Sequence, residues 1–226
     1  GLSFSYNRRP LLEGLSFTAG PGECVVFAGP NGSGKSTALS LLAGVLKPDS
    51  GSVHTEGRIG YIPQGTALFE DMTAGANLAF FAELAGVSVP ENLPFGADRY
   101  RRKKVAALSG GTKKRVSIAC ALLGDPENLL FDEPCSGLDI QYRDELQNMI
   151  RKLKAEGRSI VYVGHDVSEF AAFYDRLVFL GGPKPQVFEK ADLSGTSGGL
   201  IEETIHLDSA YRALCAAVPV HEEREK

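Results

Sequence analysis

Short apolar runs recur along the chain, and each stops at a glycine or a polar residue. Four of them are continuous rather than alternating in polarity, at residues 23–28, 59–62, 129–132 and 159–163. Continuous apolar runs of this length predict strands buried on both faces, as in a parallel sheet covered by helices.

Helical spacing of apolar residues follows two of these predicted strands. Residues 36–45 show it after a glycine-rich loop, and residues 138–155 show it up to Gly157, just before the run that starts at Ser159. Strands and helices therefore alternate, which predicts an α/β domain with a mainly parallel core sheet.

The middle of the chain has helical patterns at residues 72–84 and 99–107 and no strong strand pattern between them. Prolines and a glycine interrupt this stretch, which is typical of short helices joined by loops. We expect a small helical subdomain, at about residues 66–125, inserted into the sheet domain.

The two ends of the chain predict further elements. An antiparallel β subdomain and extra strands are expected from the patterns at residues 2–6, 14–19 and 177–188. The tail, from about residue 190, is expected to hold a Gly/Ser linker, a short helix and a charged end, at residues 194 onward, 208–217 and 221–226.

Composition narrows the function classes only a little. The chain has 226 residues, enough for one large domain, and its formal net charge of −4 gives no overall attraction to nucleic acid or an anionic membrane. No apolar run approaches the roughly 20 residues that a membrane-spanning helix requires. The cysteines form no CxxC pair and predict free thiols in a reducing compartment: Cys24, Cys120, Cys135 and Cys215.

The strongest motif lies between the first buried strand and the following helix. It is Gly29-Pro30-Asn31-Gly32-Ser33-Gly34-Lys35-Ser36, which fits G-x-x-x-x-G-K-[ST] at every fixed position. Glycines let successive backbone N–H groups point at one anion, and the helix offers its positive N-terminus to the same anion. Lys35 can then reach the β- and γ-phosphates of a nucleotide, and the Ser36 hydroxyl can ligate Mg²⁺.

Two acidic residues end the third buried run. Asp132 is placed to bind the Mg²⁺ shell, through water, and Glu133 is placed to polarise an attacking water. Two adjacent carboxylates can also merely end a strand, but the complete phosphate loop favours the functional interpretation.

One further segment resembles a family motif. Leu108-Ser109-Gly110-Gly111-Thr112-Lys113-Lys114-Arg115, here called the signature segment, is similar to the LSGGQ signature of the nucleotide-binding domains of ATP-binding-cassette (ABC) transporters, with Thr112 in place of Gln. Other motifs follow in the family's order and carry the resemblance from about residue 2 to residue 180. They are Tyr6, the glutamine loop Tyr61-Ile62-Pro63-Gln64, the segment Ser136-Gly137-Leu138-Asp139 and the switch histidine His165.

The resemblance implies one ABC ATPase domain over residues 1–226 with the P-loop NTPase fold, acting as a head-to-tail homodimer or heterodimer with Mg²⁺ and ATP. Each ATP would lie between the phosphate loop of one domain and the signature segment of the other. The implied catalytic residues are Glu133, His165 and Gln64, and the implied metal-binding residues are Ser36, Gln64 and Asp132. The implied ATP-binding residues are Tyr6, Gly29, Asn31, Gly32, Ser33, Gly34, Lys35, Ser36, Thr37, Ser109, Gly110, Gly111 and Asp139.

Bland interpretations stay open for several of these residues. Tyr6 can be a packing aromatic, Gln64 a polar strand end, and His165 an ordinary polar residue. Cys135 is interpreted as an inert small residue rather than a redox sensor. A solvated helical face best accounts for the basic cluster, with a permease or lipid contact as the first alternative and nucleic acid as the second; its members are Arg99, Arg101, Arg102, Lys103, Lys104, Lys113, Lys114 and Arg115.

The family also implies partners and a location. The signature segment and the residues that follow it look most like those of drug- and polymer-exporting cassettes. We therefore expect a motor at the cytoplasmic face of the cell membrane that drives a separate transmembrane permease, with no nucleic acid partner. An importer motor, or a soluble cassette acting on nucleic acid or the ribosome, is the alternative.

Overall fold

The computed structural model describes residues 1–182, 184–193 and 200–216, with residues 200–206 described by their backbone alone. Its strands are β1 (Leu2–Tyr6), β2 (Arg9–Leu15), β3 (Cys24–Ala28), β4 (Ile59–Ile62), β5 (Asn128–Asp132), β6 (Ser159–Val163), β7 (Arg176–Phe179) and β8 (Gln186–Glu189). Its helices are α1 (Lys35–Leu42), α2 (Ala74–Ala85), α3 (Gly110–Ala121), α4 (Ile140–Ala155), α5 (Val167–Phe170), α6 (Lys190–Leu193) and α7 (Leu200–Ala216).

A six-stranded sheet in the order β4-β5-β6-β3-β7-β8 forms the centre of the molecule. All its neighbouring pairs are parallel except β7 with β8. The predicted fold class, a mainly parallel α/β sheet, is therefore confirmed. Because β4, β5 and β6 are parallel neighbours, their carboxyl ends meet at one edge, where parallel sheets present their functional loops.

Apolar side chains cover both faces of this sheet. One cluster includes Phe131, Tyr142 and Tyr162 and lies under α4 and α5. The other includes Phe27 and Leu39 and joins α1 to the hairpin of β1 and β2. Strand β3 is buried at every position, as expected for a strand between two parallel neighbours.

The chain between β4 and β5 is helical and packs around an apolar cluster of its own. Leu78 on α2 and Val116 on α3 are fully buried there, each contributing about 1.5–3 kcal/mol. Helix α2 begins at Ala74 and ends at Ala85, two residues later than predicted at its start and one residue later at its end.

The helix predicted at residues 99–107 is wrong. Two short 3₁₀ helices, Pro94–Tyr100 and Val105–Ala107, stand near this position. The carbonyls of Arg101 and Lys103 accept hydrogen bonds from Gly75 and Ala74 at the start of α2. Because these carbonyls serve the neighbouring helix, the segment cannot form an α-helical ladder of its own.

The strand predicted at residues 14–19 is also wrong in its bounds. Strand β2 starts at Arg9, because the chain reverses at Asn7 and Arg8, whose φ angles of 48° and 65° make a tight hairpin turn. The resulting antiparallel pair of β1 and β2 forms a small second sheet.

The predicted strands at 177–188 and the predicted tail helix need smaller corrections. Strand β7 is parallel to β3, and only β8 is antiparallel. Helix α7 begins at Leu200, eight residues earlier than predicted. The predicted linker at 194–199 and the charged end lie outside the described residues. Within the described residues, no helix is both long and apolar enough to cross a lipid bilayer.

Candidate active site

The phosphate loop, residues 29–36, joins the end of β3 to the start of α1. Gly29 has a φ of 145°, and a β-carbon there would stand 2.0 Å from the Leu180 carbonyl oxygen, so no other residue fits. The N-cap residue of α1, Gly34, is left-handed and supplies no side-chain cap. The first N–H groups of α1 therefore have no side-chain acceptor, as in helix termini that bind anions.

Ser33 adds a second indication of a ligand. Its hydroxyl is buried within the loop and has no hydrogen-bond partner in the protein. Buried polar groups in proteins are nearly always partnered, so an isolated hydroxyl in a loop of this shape fits an incoming acceptor such as a phosphate oxygen. Asn31 and Gly32 are exposed at the loop tip, and Thr37 is half-buried in the first turn of α1.

The Lys35 ammonium lies inside the phosphate loop. Its Nζ donates to the carbonyl oxygens of Gly29 and Pro30 at 2.8 and 2.9 Å, and the residue is only 5% exposed. Burial lowers the pKa of Lys35, and the nearby Glu133 carboxylate opposes that shift.

Ser36 and Asp132 form the predicted metal-binding pair. The Ser36 hydroxyl donates to Asp132 Oδ1 at 2.9 Å, which joins α1 to the end of β5. Burial raises the pKa of Asp132, and the Ser36 hydrogen bond partly offsets this. Among the described residues, no group of three His, Cys, Asp or Glu side chains could hold a metal alone. A hydroxyl and one carboxylate nevertheless fit Mg²⁺, which commonly takes one or two protein oxygens together with phosphates and waters.

Three predicted catalytic side chains meet at one carboxylate. Glu133 Oε1 lies 2.5 Å from His165 Nε2, and its Oε2 accepts from Gln64 Nε2 at 2.7 Å. Gln64, Glu133 and His165 follow β4, β5 and β6, so the order of neighbouring strands brings them together. The Gln64 amide that was also predicted to bind metal donates to Glu133 in this arrangement.

The backbone at Glu133 is unusual. Its φ is 46°, in the left-handed region, where a residue with a β-carbon is strained, and the residue is only 7% exposed. The Glu133 N–H donates to the Val163 carbonyl at 3.0 Å, which holds this conformation against β6. Strain that the surrounding fold maintains is characteristic of functional positions.

Ser109 and Gly110 of the signature segment lie apart from the Glu133 carboxylate and its two partners. Ser109 caps α3, its Oγ accepting from the Thr112 N–H at 3.3 Å, and both Ser109 and Gly110 are exposed. Gly111 packs beside Leu138. A β-carbon built on this glycine would lie 3.4 Å from the Leu138 side chain. Within the part of the chain that the structure describes, no hydrogen bond joins the signature segment to the phosphate loop.

The remaining predicted residues have local structural surroundings. Asp139 caps α4, its Oδ1 accepting from the Tyr142 N–H at 2.8 Å. Tyr6 ends β1, half exposed, with its ring edge-to-face against Phe4 at 4.9 Å. The four cysteines are free, and burial raises the pKa of Cys135 to about 11, which favours its protonated thiol.

The predicted solvated basic face is wrong at Lys114. This residue is 5% exposed, and its Nζ donates to the carbonyl oxygens of Pro63 and Gln64 at 2.7 and 2.8 Å. Burial lowers its pKa to about 8. Helical periodicity offered a signal, because Lys114 lies three and four positions before the buried Ser117 and Ile118.

Tyr211 on α7 is a second residue that sequence reasoning missed. Its hydroxyl donates to the Gly29 carbonyl oxygen at 3.3 Å, so the tail helix contacts the phosphate loop. No motif surrounds this tyrosine, and only its position in the folded chain connects it to the site.

A phosphate loop after a central strand, beside a buried Ser–Asp pair and a carboxylate held by glutamine and histidine, defines a P-loop nucleoside-triphosphatase. The ABC transporter family profile matches residues 12–136. The chain belongs to the ABC transporter family, as an ATP-binding cassette ATPase.

Relatives of known name agree with this membership. The linearmycin resistance ATP-binding protein LnrL of Bacillus subtilis is 31% identical over 216 residues, covering 86% of this chain and 70% of that protein. The Nod factor export ATP-binding protein I of Burkholderia pseudomallei is 37% identical over 192 residues, covering 76% of this chain. This chain spans 63% of the length of that protein.

Solved structures resemble the fold closely. An ATP-binding subunit of an ABC transporter superposes with a TM-score of 0.82 at 27% identity, covering 94% of this chain and 96% of that one. A dimeric ATP-binding cassette in a post-hydrolysis state, with ADP and Pi bound, has a TM-score of 0.67 at 25% identity, covering 79% of this chain and 91% of that one.

Proposed function

We propose that this chain is the motor of an exporter. Two ATPase domains close head to tail around ATP, and hydrolysis reopens them to drive a separate membrane permease. The observation that carries this proposal is the meeting of Gln64, Glu133 and His165 at one carboxylate, with Ser109 and Gly110 of the signature segment exposed at a different surface. Export is supported by the relatives named for linearmycin resistance and Nod factor export.

One half of each ATP site is proposed to come from the buried residues. The phosphate loop and Lys35 bind the phosphates, and Tyr6 is available to stack on adenine because half of it is exposed. Glu133 accepts the proton of the attacking water, while His165 and Gln64 hold that carboxylate in place. Ser36 and Asp132, with Gln64 nearby, would hold Mg²⁺, which when bound neutralises charge on the phosphates.

The other half is proposed to come from a second ATPase domain. Ser109, Gly110 and Gly111 begin α3 with their N–H groups forward, so they can bind a γ-phosphate presented by the partner. Asp139 lies exposed at the start of α4, where it can cross to that partner. The second domain is either another copy of this chain, which gives a homodimer, or a different chain, which gives a heterodimer.

An exposed apolar surface on the helical part supports a permease partner. Phe69, Phe80 and Leu84 are exposed, and the rings of Phe69 and Phe80 meet edge to face at 5.1 Å. Phe69 lies five residues after Gln64, and its N–H and carbonyl are both held by Asn77, so the chain after the glutamine loop is fixed to α2. Exposed apolar groups clustered in this way mark interaction sites, which supports the proposal that the chain binds its permease at the cytoplasmic face of the membrane.

The proposed permease surface is tested by replacing single exposed residues and measuring ATPase activity and membrane association. With Phe80→Asp, we expect normal ATPase activity of the isolated protein and loss of co-purification with membranes that contain its permease. Val45→Asp is the matched control, because Val45 is also exposed but lies after α1. Equal membrane association of the two variants would contradict the permease surface.

The isolated wild-type protein tests whether two ATPase domains share each ATP site. Because closure requires ATP and a second domain, the ATPase rate per molecule should rise with protein concentration. A rate per molecule that stays constant down to concentrations at which light scattering shows a monomer with bound ATP would contradict the shared site.

A further inference from the structure

Lys114 is a buried cation whose side-chain hydrogen bonds, within the described residues, all go to the turn after β4. Its Nζ lies 2.7, 2.8 and 3.4 Å from the carbonyl oxygens of Pro63, Gln64 and Gly65. An ammonium group has three hydrogens to donate and accepts none, so these three carbonyls match its full donor capacity. The turn after β4 is thereby fastened to the first turns of α3.

A buried charge of this kind is costly unless every donor is satisfied. The basic residues on either side of Lys114 already form ion pairs near the surface, so α3 does not need the Lys114 charge for solubility. Lys113 makes an exposed ion pair with Glu70 at 2.5 Å, and Arg115 pairs with Glu145 at 2.5 Å while lying over the Tyr142 ring. Lys114 alone of these three basic residues points at the backbone of the glutamine loop.

The contacts form a continuous path through one subunit. Ser109 caps α3, and Lys114, in the second turn of that helix, holds the Gln64 carbonyl. The Gln64 side chain then donates to Glu133 at 2.7 Å, and Glu133 also contacts His165. A shift of α3 therefore reaches the catalytic carboxylate through two hydrogen bonds.

We propose that Lys114 is a positioning residue for ATP hydrolysis, which ties the backbone of Gln64 to the signature helix and so aims the Gln64 amide at Glu133. This inference rests on the proposed function of Gln64 and Glu133. It adds the contact by which the signature segment of a subunit reports to the catalytic carboxylate of the same subunit.

The test is a double-mutant cycle on the full chain. Lys114→Met keeps the length of the side chain and removes its donors, and Gln64→Ala removes the amide that Lys114 is proposed to aim. We expect Lys114→Met to lower kcat about tenfold with KM for ATP within about twofold, because misplacing a catalytic contact slows turnover more than binding. In the Gln64→Ala background, Lys114→Met should cause no further loss, because coupled residues are not additive.

Two further variants control this cycle. Lys152→Met removes an exposed ion pair with Glu156 at the end of α4, outside the residues proposed to contact ATP, and should leave kcat unchanged. Lys114→Gln keeps two donors without the charge and should recover part of the lost kcat. If Lys114→Met does not fold, by its thermal unfolding profile, the cycle is run with Lys114→Gln against Gln64→Ala.

The outcomes separate this inference from the proposed function. A normal kcat in Lys114→Met overturns the inference, and so do losses that multiply in the double variant. In both cases a slow Gln64→Ala leaves the proposed function standing. Wild-type rates in both Gln64→Ala and Glu133→Gln would overturn the proposed function together with the inference.

Discussion

Two groups of residues expected to contact ATP differ in how much protein surrounds them. Lys35, Asp132 and Glu133 are buried, and each has a hydrogen-bond partner inside the molecule. Ser109 and Gly110 are exposed, and the Ser109 side chain bonds within its own first helical turn. The first group is assembled by the fold of one chain, whereas the second is presented outward.

The difference has an energetic cause. Neighbouring buried charges are stable only when each is paired, so Lys35, Asp132 and Glu133 depend on the complete fold of their own chain. A serine and a glycine at a helix N-terminus cost little when exposed, and their N–H groups remain available to an anion. This division matches the proposed site completed by a second domain.

The largest effect is expected at the centre of the buried group. Glu133→Gln keeps the shape of the side chain but cannot accept a proton, so turnover should fall about 10²–10⁴-fold. Removing a negative charge beside the γ-phosphate should also favour closure, so the variant should accumulate as an ATP-bound dimer. Phosphate release and size-exclusion chromatography with Mg-ATP measure both effects. A monomeric variant with near-normal turnover would remove Glu133 from the catalytic role.

The next effect is expected in the exposed group and should leave the buried group intact. Ser109→Arg places a bulky charge at the proposed contact with the partner, so hydrolysis should fall at least about 10²-fold. ATP binding by the monomer should be unchanged, because Ser109 makes no hydrogen bond to the phosphate loop within the described residues. Calorimetry with ATP and a phosphate assay test this pair of results. Normal hydrolysis by the variant would sink the shared-site arrangement.

A smaller change separates the cap from the ligand contact at Ser109. Ser109→Ala and Thr73→Ala each remove a side chain that accepts from a backbone N–H at the start of a helix. Both should lose about 1 kcal/mol of unfolding free energy. Only Ser109→Ala should also slow ATP hydrolysis, since Thr73 caps α2 away from the signature segment. Equal ATPase rates in the two variants would leave Ser109 with its capping role alone.

The smallest effect is expected at a third buried carboxylate. Glu169 accepts from the Tyr162 hydroxyl at 3.1 Å, and burial raises its pKa above the ordinary glutamate value. A raised pKa in the folded state makes the protonated form stabilising, and that contribution is lost as pH rises through the raised value. Glu169→Gln should therefore increase the free energy of unfolding at pH 8, with a smaller increase at pH 5.

Urea unfolding at the two pH values checks this prediction. Glu83→Gln, at an exposed position on α2, is the control and should show no such pH-dependent gain. A Glu169→Gln variant that is less stable than the wild type at pH 8 would show that the charged form is the favoured one, contrary to the sign expected from burial.

Much of the fold followed from patterns that are local in the chain. The bounds of β4 and β6 were predicted without error, because continuous apolar runs mark strands, although β4 at the edge of the sheet is only partly buried. The bounds failed where backbone groups serve another segment. The carbonyls of residues 101 and 103 accept from the start of α2, and at Asn7–Arg8 a turn with positive φ starts β2 early.

The candidate site divides in the same way. The phosphate loop was predictable because its chemistry lies in eight successive residues, and glycine spacing reports directly on backbone shape. The acidic end of the third buried run identified Glu133, and the resemblance added Gln64 and His165, but their meeting at one carboxylate is a property of the folded chain. The sequence pattern did not predict the left-handed backbone of Glu133 or the contact of Tyr211 with Gly29.

By itself, the sequence determined the periods of its strands and helices, the phosphate loop and the set of residues available for chemistry. The tertiary structure decided which of them meet. Strand order placed β4, β5 and β6 side by side, and the face on which α3 packs buried Lys114 against the turn after β4. The physical reason is that a local pattern records which side of an element is apolar, whereas contacts between distant segments depend on how the elements pack.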